Sequence, residues 1–293
     1  MRPELKVIIS MLIWGSLGLF VSVIPYDSQF IAFSRAAIGF VVLMIARAFT
    51  KERTPKGDYL KALPLMLFIG GIMGLNWGLL FSAYKMCGVS VATLIYYLAP
   101  IITIVLCAIF LKEKLTPVKI AGIAMALLGM VMINGGGNVS GTNVVLGMIF
   151  ALIAASFYGV IVFVNKASKS IAKVNSLEYT ITEMFAAALT SGAYAAATGG
   201  FQLEAPTPIC IASLLILGLV HTGLAYLLYF GSIPKLPGHT LAVLSYFDPV
   251  SALFLSAIFL SERMSFLQWV GAVLVLGGAA VSQLIKTKNS QDA

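Results

Sequence analysis

The stretch Ser90–Val131 recurs 149 residues later as His239–Ala280, with no gap between the copies. Eleven of the 42 positions are identical, among them Tyr97/Tyr246, Pro100/Pro249, Glu113/Glu262, Gly122/Gly271 and Gly129/Gly278. Each copy reads as an apolar helix carrying a proline, a short Glu-Lys or Glu-Arg hinge, and a second apolar helix. A proline, a glutamate and two glycines held in one register mark a duplicated unit. Any fold of this chain must accommodate two related halves.

Those halves suit lipid rather than water. Of 293 residues, 60% are hydrophobic and 10% charged, against about 25% charged in a soluble domain. A spanning helix needs about 20 apolar residues. The chain holds ten such runs, at 5–24, 30–49, 60–85, 90–111, 117–134, 144–165, 176–198, 208–233, 239–260 and 266–285. The first is too long and too ordinary at its end for a cleaved signal peptide, so it is expected to remain as a span. The expected fold is an all-α integral membrane protein of ten transmembrane helices. Residues 1–134 form the first five-helix repeat, 135–143 a glycine-rich external linker, 144–285 the second repeat and 286–293 a tail. The net charge of +8 is spread between the apolar runs, which excludes the continuous basic stripe of a nucleic-acid binder. Three cysteines give no disulfide framework, and their spacing does not say whether Cys87 and Cys210 are neighbours.

Lys and Arg at the helix ends set the orientation. With the N-terminus in the cytoplasm, sixteen basic residues fall inside and two, Lys85 and Arg263, outside, while Arg35 lies within a span. Both termini are then cytoplasmic. Five is odd, so the second repeat enters the membrane from the opposite side. The expected architecture is a 5+5 inverted repeat, the arrangement by which many transporters obtain two alternately opened gates.

The segments Phe110-Leu-Lys-Glu-Lys-Leu-Thr116 and Phe259-Leu-Ser-Glu-Arg-Met-Ser265, each following a proline, resemble the EamA domain, as do Trp14-Gly15-Ser16 and Arg35. The chain is similar to members of the drug/metabolite transporter superfamily, with two EamA domains covering nearly all of it. The resemblance implies a multi-pass transporter of the bacterial inner membrane, often an exporter of amino acids or other small metabolites. Asp248 precedes the second proline where the first copy has Ala99, a departure between the copies.

Candidate functional residues follow from depth and cost. Proline within a helix leaves a carbonyl unmatched, here those of Tyr96 and Ser245, and such groups survive at membrane depth only against protein or a wet cavity. Pro100 and Pro249 are read as gating hinges, with a static kink as the alternative. Asp248 and His221 fall near mid-membrane, where a charge costs about 2.5–3.5 kcal/mol on insertion scales. Asp248 is the strongest candidate for substrate or proton binding, and Glu183 is a second candidate for coupling. His221 either shares a proton with Asp248 or is a satisfied hydrogen bonder, and Arg35 either meets a ligand or snorkels outward. Gly70, Gly74 and Gly78 form a stripe for close helix approach, while Asn76 points off it and needs a partner. Trp14, Trp77, Tyr97 and Tyr246 would complete an aromatic cavity with few polar groups.

These residues point to a secondary transporter for a small amphipathic metabolite, amino acids included, with a proton as the candidate coupling ion and the lipid bilayer as its setting. No phosphate-binding loop supports ATP hydrolysis, and neither metal-ligand spacing nor a cofactor motif occurs. The alternatives are an intramembrane acid/base enzyme, for which no nucleophile pairing is present, and a non-transporting subunit. A monomer and a homodimer both remain open.

Overall fold

A computed structural model describes residues 2–112, 116–135, 143–201, 205–230, 232, 244, 247–261 and 264–284. Among the described residues the chain is helical, with no strand. In chain order the helices are α1 (Pro3–Gly15), α2 (Leu17–Ser22), α3 (Ser28–Ala48), α4 (Lys56–Cys87), α5 (Val89–Tyr96), α6 (Ala99–Phe110), α7 (Pro117–Gly135), α8 (Val144–Ala167) and α9 (Ser176–Ala197). They continue with α10 (Pro208–Ile216), a π-helical segment (Leu217–Leu224), α11 (Ala225–Phe230), α12 (Phe247–Phe259) and α13 (Phe266–Leu284).

Among the described residues, six stretches are long and apolar enough to cross a membrane: Pro3–Ser22, Ser28–Ala48, Lys56–Cys87, Val89–Phe110, Val144–Ala167 and Pro208–Tyr229. Shorter apolar helices cover Ile120–Gly129, Phe247–Phe259 and Phe266–Gly278. α9 is less apolar, because Glu178, Glu183 and several Thr, Ser and Ala residues interrupt it. Large aliphatic residues face outward, with Val145, Ile258 and Val273 each more than two-thirds exposed. The core meanwhile buries Arg35, Asn76, Glu183 and His221. That distribution inverts the soluble pattern and fits a lipid solvent.

Helix starts follow local chemistry. The Asp27 side chain accepts from the N–H groups of Gln29 and Phe30 at 2.8 and 3.3 Å, capping α3, and Asn175 caps α9 through Leu177 N–H at 2.9 Å. Free donors at a helix start need such acceptors. Gly88, at φ 85°, turns the chain sharply from α4 into α5, a backbone angle other residues resist.

Packing repeats when the halves are exchanged. Gly129 lies against the Gly271 carbonyl, and Gly278 against that of Gly122. A shift of 149 residues converts one contact into the other. Rising from Gly122 to Gly129 along α7 means descending from Gly278 to Gly271 along α13, so these equivalent helices run antiparallel. A second pair joins Gly70 to Ala186 and Gly218 to Ile38, a third Gly74 to Ala187 and Thr222 to Gly39. A fourth sets Gly15 on the Asp248 carbonyl and Gly159 on that of Ala99.

The register is 148 at Gly70/Gly218 and Gly74/Thr222, but 149 from Ser90/His239 onward. Relative to the first half, the second gains its extra residue between Thr222 and His239, while the π-helical segment Leu217–Leu224 is a separate departure from α4. An i→i+5 turn holds one residue more than an α turn, and Thr222 Oγ1 donates five residues back to the Leu217 carbonyl at 3.0 Å.

The proline region differs from a kink within one helix. α5 ends at Tyr96 and α6 begins at Ala99, with the Leu98 carbonyl accepting from the N–H groups of Ile101 and Ile102 at 3.0 Å. Pro100 therefore stands in the first turn of α6, where its missing N–H is not needed. Pro249 likewise falls in the first turn of α12. Ser245, Tyr246, Glu113 and Glu262 lie outside the described residues, as does most of the glycine-rich linker.

Candidate functional site

A cavity of about 820 Å³ lies among helices of both halves. α3 contributes Arg35 and α9 Glu183, the α5–α6 junction contributes Tyr96 and Tyr97, and α12 contributes Asp248. Tyrosines 84, 158, 179, 226 and 229 complete much of the wall with Trp14 and Trp77.

Arg35 is 4% exposed. Its guanidinium carbon stands 4.1 Å from the Trp77 ring centroid, and its Nε donates to Thr222 Oγ1 at 2.9 Å. Thr222 faces α3 there, where Gly39 leaves room for its methyl group. Across the cavity, the Tyr97 hydroxyl donates to Asp248 Oδ2 at 2.6 Å. At the junction of α5 and α6 the Tyr97 N–H still donates to the Thr93 carbonyl at 3.0 Å. Gly15 brings α1 onto the Asp248 backbone.

Glu183 is 3% exposed and accepts from Tyr179, whose hydroxyl takes a 2.9 Å bond from Asn165 Nδ2. No ion pair engages Glu183 among the described residues. The acid therefore has hydrogen-bonding support without a counter-charge.

Two sequence candidates stand behind the wall rather than in it. Asn76 Nδ2 donates to the Ala154 carbonyl at 2.5 Å, and its Oδ1 accepts from Tyr96 at 3.2 Å. The amide thus fastens a cavity tyrosine to α8. His221 has both ring nitrogens engaged, with Ser16 Oγ at 3.0 Å and the Ile216 carbonyl at 3.3 Å. Its own carbonyl accepts from Trp14 Nε1 at 2.8 Å, which orients the indole edge-on to Tyr226 and Tyr229. His221 makes no contact with Asp248; it positions Trp14. Trp14, Trp77, Tyr97 and Asp248 do meet around one cavity, and Tyr246 lies outside the described residues. The sequence reading missed Tyr84, Tyr96, Tyr158, Tyr179, Tyr226 and Tyr229 as wall residues. Their signal was tyrosine in apolar runs away from the interfaces where it usually collects.

The cavity extends to Ile171, Ala172, Val174 and Ser176, the α8–α9 connection that carries Lys169 and Lys173. Toward the other end the helices close. Gly18 packs on Val89, and Ser90 Oγ meets Ser256 Oγ at 2.6 Å between α5 and α12. Among the described residues no cluster of three His, Cys, Asp or Glu side chains could hold a metal ion. The arrangement can bind a small solute through polar groups set in aromatic walls.

Comparison with known proteins gives a consistent picture. The pattern of the EamA-like transporter family matches residues 1–135 and 145–283. The uncharacterized transporter YxxF of Bacillus subtilis (strain 168) is 28% identical over 290 residues, covering 95% of this chain and 88% of its own. YwfM, another uncharacterized transporter of that organism, is 26% identical over 99% of this chain and 97% of its own. A probable terminal-alkyne amino-acid exporter of Streptantibioticus cattleyicolor is 27% identical over 86% of this chain and 83% of its own. A protein of known crystal structure, 23% identical, has the same fold, with a TM-score of 0.67 over 97% of this chain and 98% of that one.

Proposed function

The chain belongs to the EamA-like transporter family, and from that premise we propose that it exports a small amphipathic metabolite, such as an amino acid, across the bacterial inner membrane by alternating access. The observation that carries this reading is the aromatic cavity at the junction of the halves, with Arg35 and Asp248 facing it. A probable terminal-alkyne amino-acid exporter among the relatives supports the substrate class.

The finer architecture is ten spans in a 5+5 inverted repeat, with residues 1–134 and 144–285 as the repeats and both termini cytoplasmic. The antiparallel contact of α7 with α13 supports the inversion. Given that orientation, the α8–α9 connection is cytoplasmic and the structure is the inward-facing form. An impermeant thiol reagent applied to a variant carrying S170C in a cysteine-free background should label inverted vesicles and leave intact cells unlabelled. Labelling of intact cells would reverse the orientation.

Trp14, Trp77, Tyr97, Tyr246 and Asp248 bind substrate in this reading, and Asn76 and His221 act by holding Tyr96 and Trp14 in place. Pro100 and Pro249 mark the hinges in this reading, because each lies in the first turn of a helix beside the cavity. Glu183 carries the coupling proton. Counterflow of labelled amino acids into proteoliposomes tests the proposal. Wild-type protein should exchange at least one of them saturably, and P100A, in which α5 and α6 can fuse, should lose most of that exchange. No exchange by wild-type protein of any member of a broad metabolite panel would refute the transporter reading. Unchanged exchange by P100A would refute the hinge.

A further inference from the structure

We propose that Arg35 reads an anionic group on the ligand, and that with Asp248 it makes a dipolar site selecting zwitterions over amines or acids of the same body. The inference rests on the transport reading above and deepens it.

A guanidinium has five N–H donors. Arg35 spends one on Thr222, and its guanidinium carbon stands over the Trp77 ring. The other four have no partner among the described residues. Trp77 and Thr222 fix the plane of the group without neutralising it, as a receptor for a planar carboxylate requires. A snorkelling arginine would extend toward water, whereas this one is held inside the cavity wall.

Asp248 is the complementary half. Tyr97 occupies Oδ2, and Oδ1 has no partner among the described residues. Although Arg35 and Asp248 line one cavity, no ion pair joins them. Two opposite charges at membrane depth that leave each other unpaired define a gap, and a ligand bearing both charges fills it. Thr93, one turn before Tyr97, adds a cavity-lining buried hydroxyl with no partner among the described residues. The remaining wall is aromatic and suits an apolar side chain.

Matched ligands separate the charges. Three bodies, phenylethyl, isobutyl and methylthioethyl, are each offered as the amino acid, the amine lacking the carboxylate and the acid lacking the amine. The readout is counterflow into proteoliposomes of the full chain. Wild-type protein should prefer at least one amino acid over its amine and its acid by about ten- to a hundredfold, the range for a lost hydrogen bond to a charged group. R35Q should lose that preference over the amine while still moving the amine. D248N should lose the preference over the acid while still moving the acid.

Retained transport of the truncated ligand reports that each variant has folded. Should neither variant fold, the wild-type series decides alone. Equal transport of an amine or an acid by wild-type protein, or an unchanged preference in a folded R35Q, overturns the dipolar site and leaves the transporter reading intact. Wild-type protein that moves none of the nine overturns the proposal. The broader metabolite panel then decides whether the transporter reading falls with it.

Discussion

Replacing Glu183 with glutamine should lower proton-driven accumulation of substrate more than tenfold while counterflow survives. Glutamine keeps the size of the side chain and can still accept from Tyr179, so the Asn165–Tyr179 support remains. What disappears is the ability to carry a charge or a proton. Glu183 is 3% exposed, has no ion-pair partner among the described residues and lines the same cavity as Arg35 and Asp248. In the proposed alternating cycle, a proton is the counter-charge that accompanies such an acid from one face to the other. Proteoliposomes with an acidic lumen should therefore load substrate with wild-type protein and fail to with E183Q, because outward proton flow no longer drives inward substrate flow. Equal exchange at zero gradient would show that binding and reorientation persist. Accumulation by E183Q at the wild-type level would reduce Glu183 to a packing residue.

Gly74→Leu should be strongly destabilising. A β-carbon at Gly74 would lie 2.5 Å from the Ala187 carbonyl oxygen and 3.1 Å from the Ala187 α-carbon. Backbone atoms in the middle of α9 cannot step aside as a side-chain end can. Overpacking costs about 1–3 kcal/mol where neighbours adjust, and about 3 kcal/mol or more is expected here, read as a fall of ~5 °C or more in the unfolding midpoint. Gly57→Leu is the control. Nothing lies within 4 Å of a β-carbon there, and a shift below about 0.5 kcal/mol is expected, as for other surface changes. Equal midpoints for the two variants would contradict the close crossing of α4 and α9.

The glycine stripe at Gly70, Gly74 and Gly78 was legible before any coordinates, because small residues every four positions have few uses other than close approach. Gly70 and Gly74 meet α9, and Gly78 makes room for Gln29. The repeat was legible for a similar reason, since proline, glutamate and glycine tolerate few substitutes where the backbone depends on them. Polar residues in the spans were harder to read. Asn76, His221 and Asp248 all announce a cost of burial, but a sequence does not say whether protein or ligand meets it. Asn76 and His221 are satisfied by groups from distant segments, the Ala154 carbonyl and Ser16. Asp248 keeps an open oxygen. Arg35 looked able to snorkel because its partners, Trp77 and Thr222, are 42 and 187 residues away. The break at Tyr97–Leu98 was placed as a kink at the proline itself, whereas the chain unwinds two residues earlier so that Pro100 can begin a helix.

The wide turn at Leu217–Leu224 has a thermodynamic meaning for a carrier of this design. Two interchangeable halves would make the inward- and outward-facing forms mirror states of equal energy, and an empty protein would divide its time evenly between them. The π-helical segment, opposite plain α-helix in the equivalent part of α4, is one of the differences between the halves that remove that degeneracy. The π-helical segment also carries Thr222, whose hydroxyl meets Arg35 at the wall of the cavity. A difference of about 1.4 kcal/mol turns even odds into ten to one. In the proposed alternating cycle, the hydrogen-bond spacing of a single helix is then one determinant of the side on which an unloaded cavity waits.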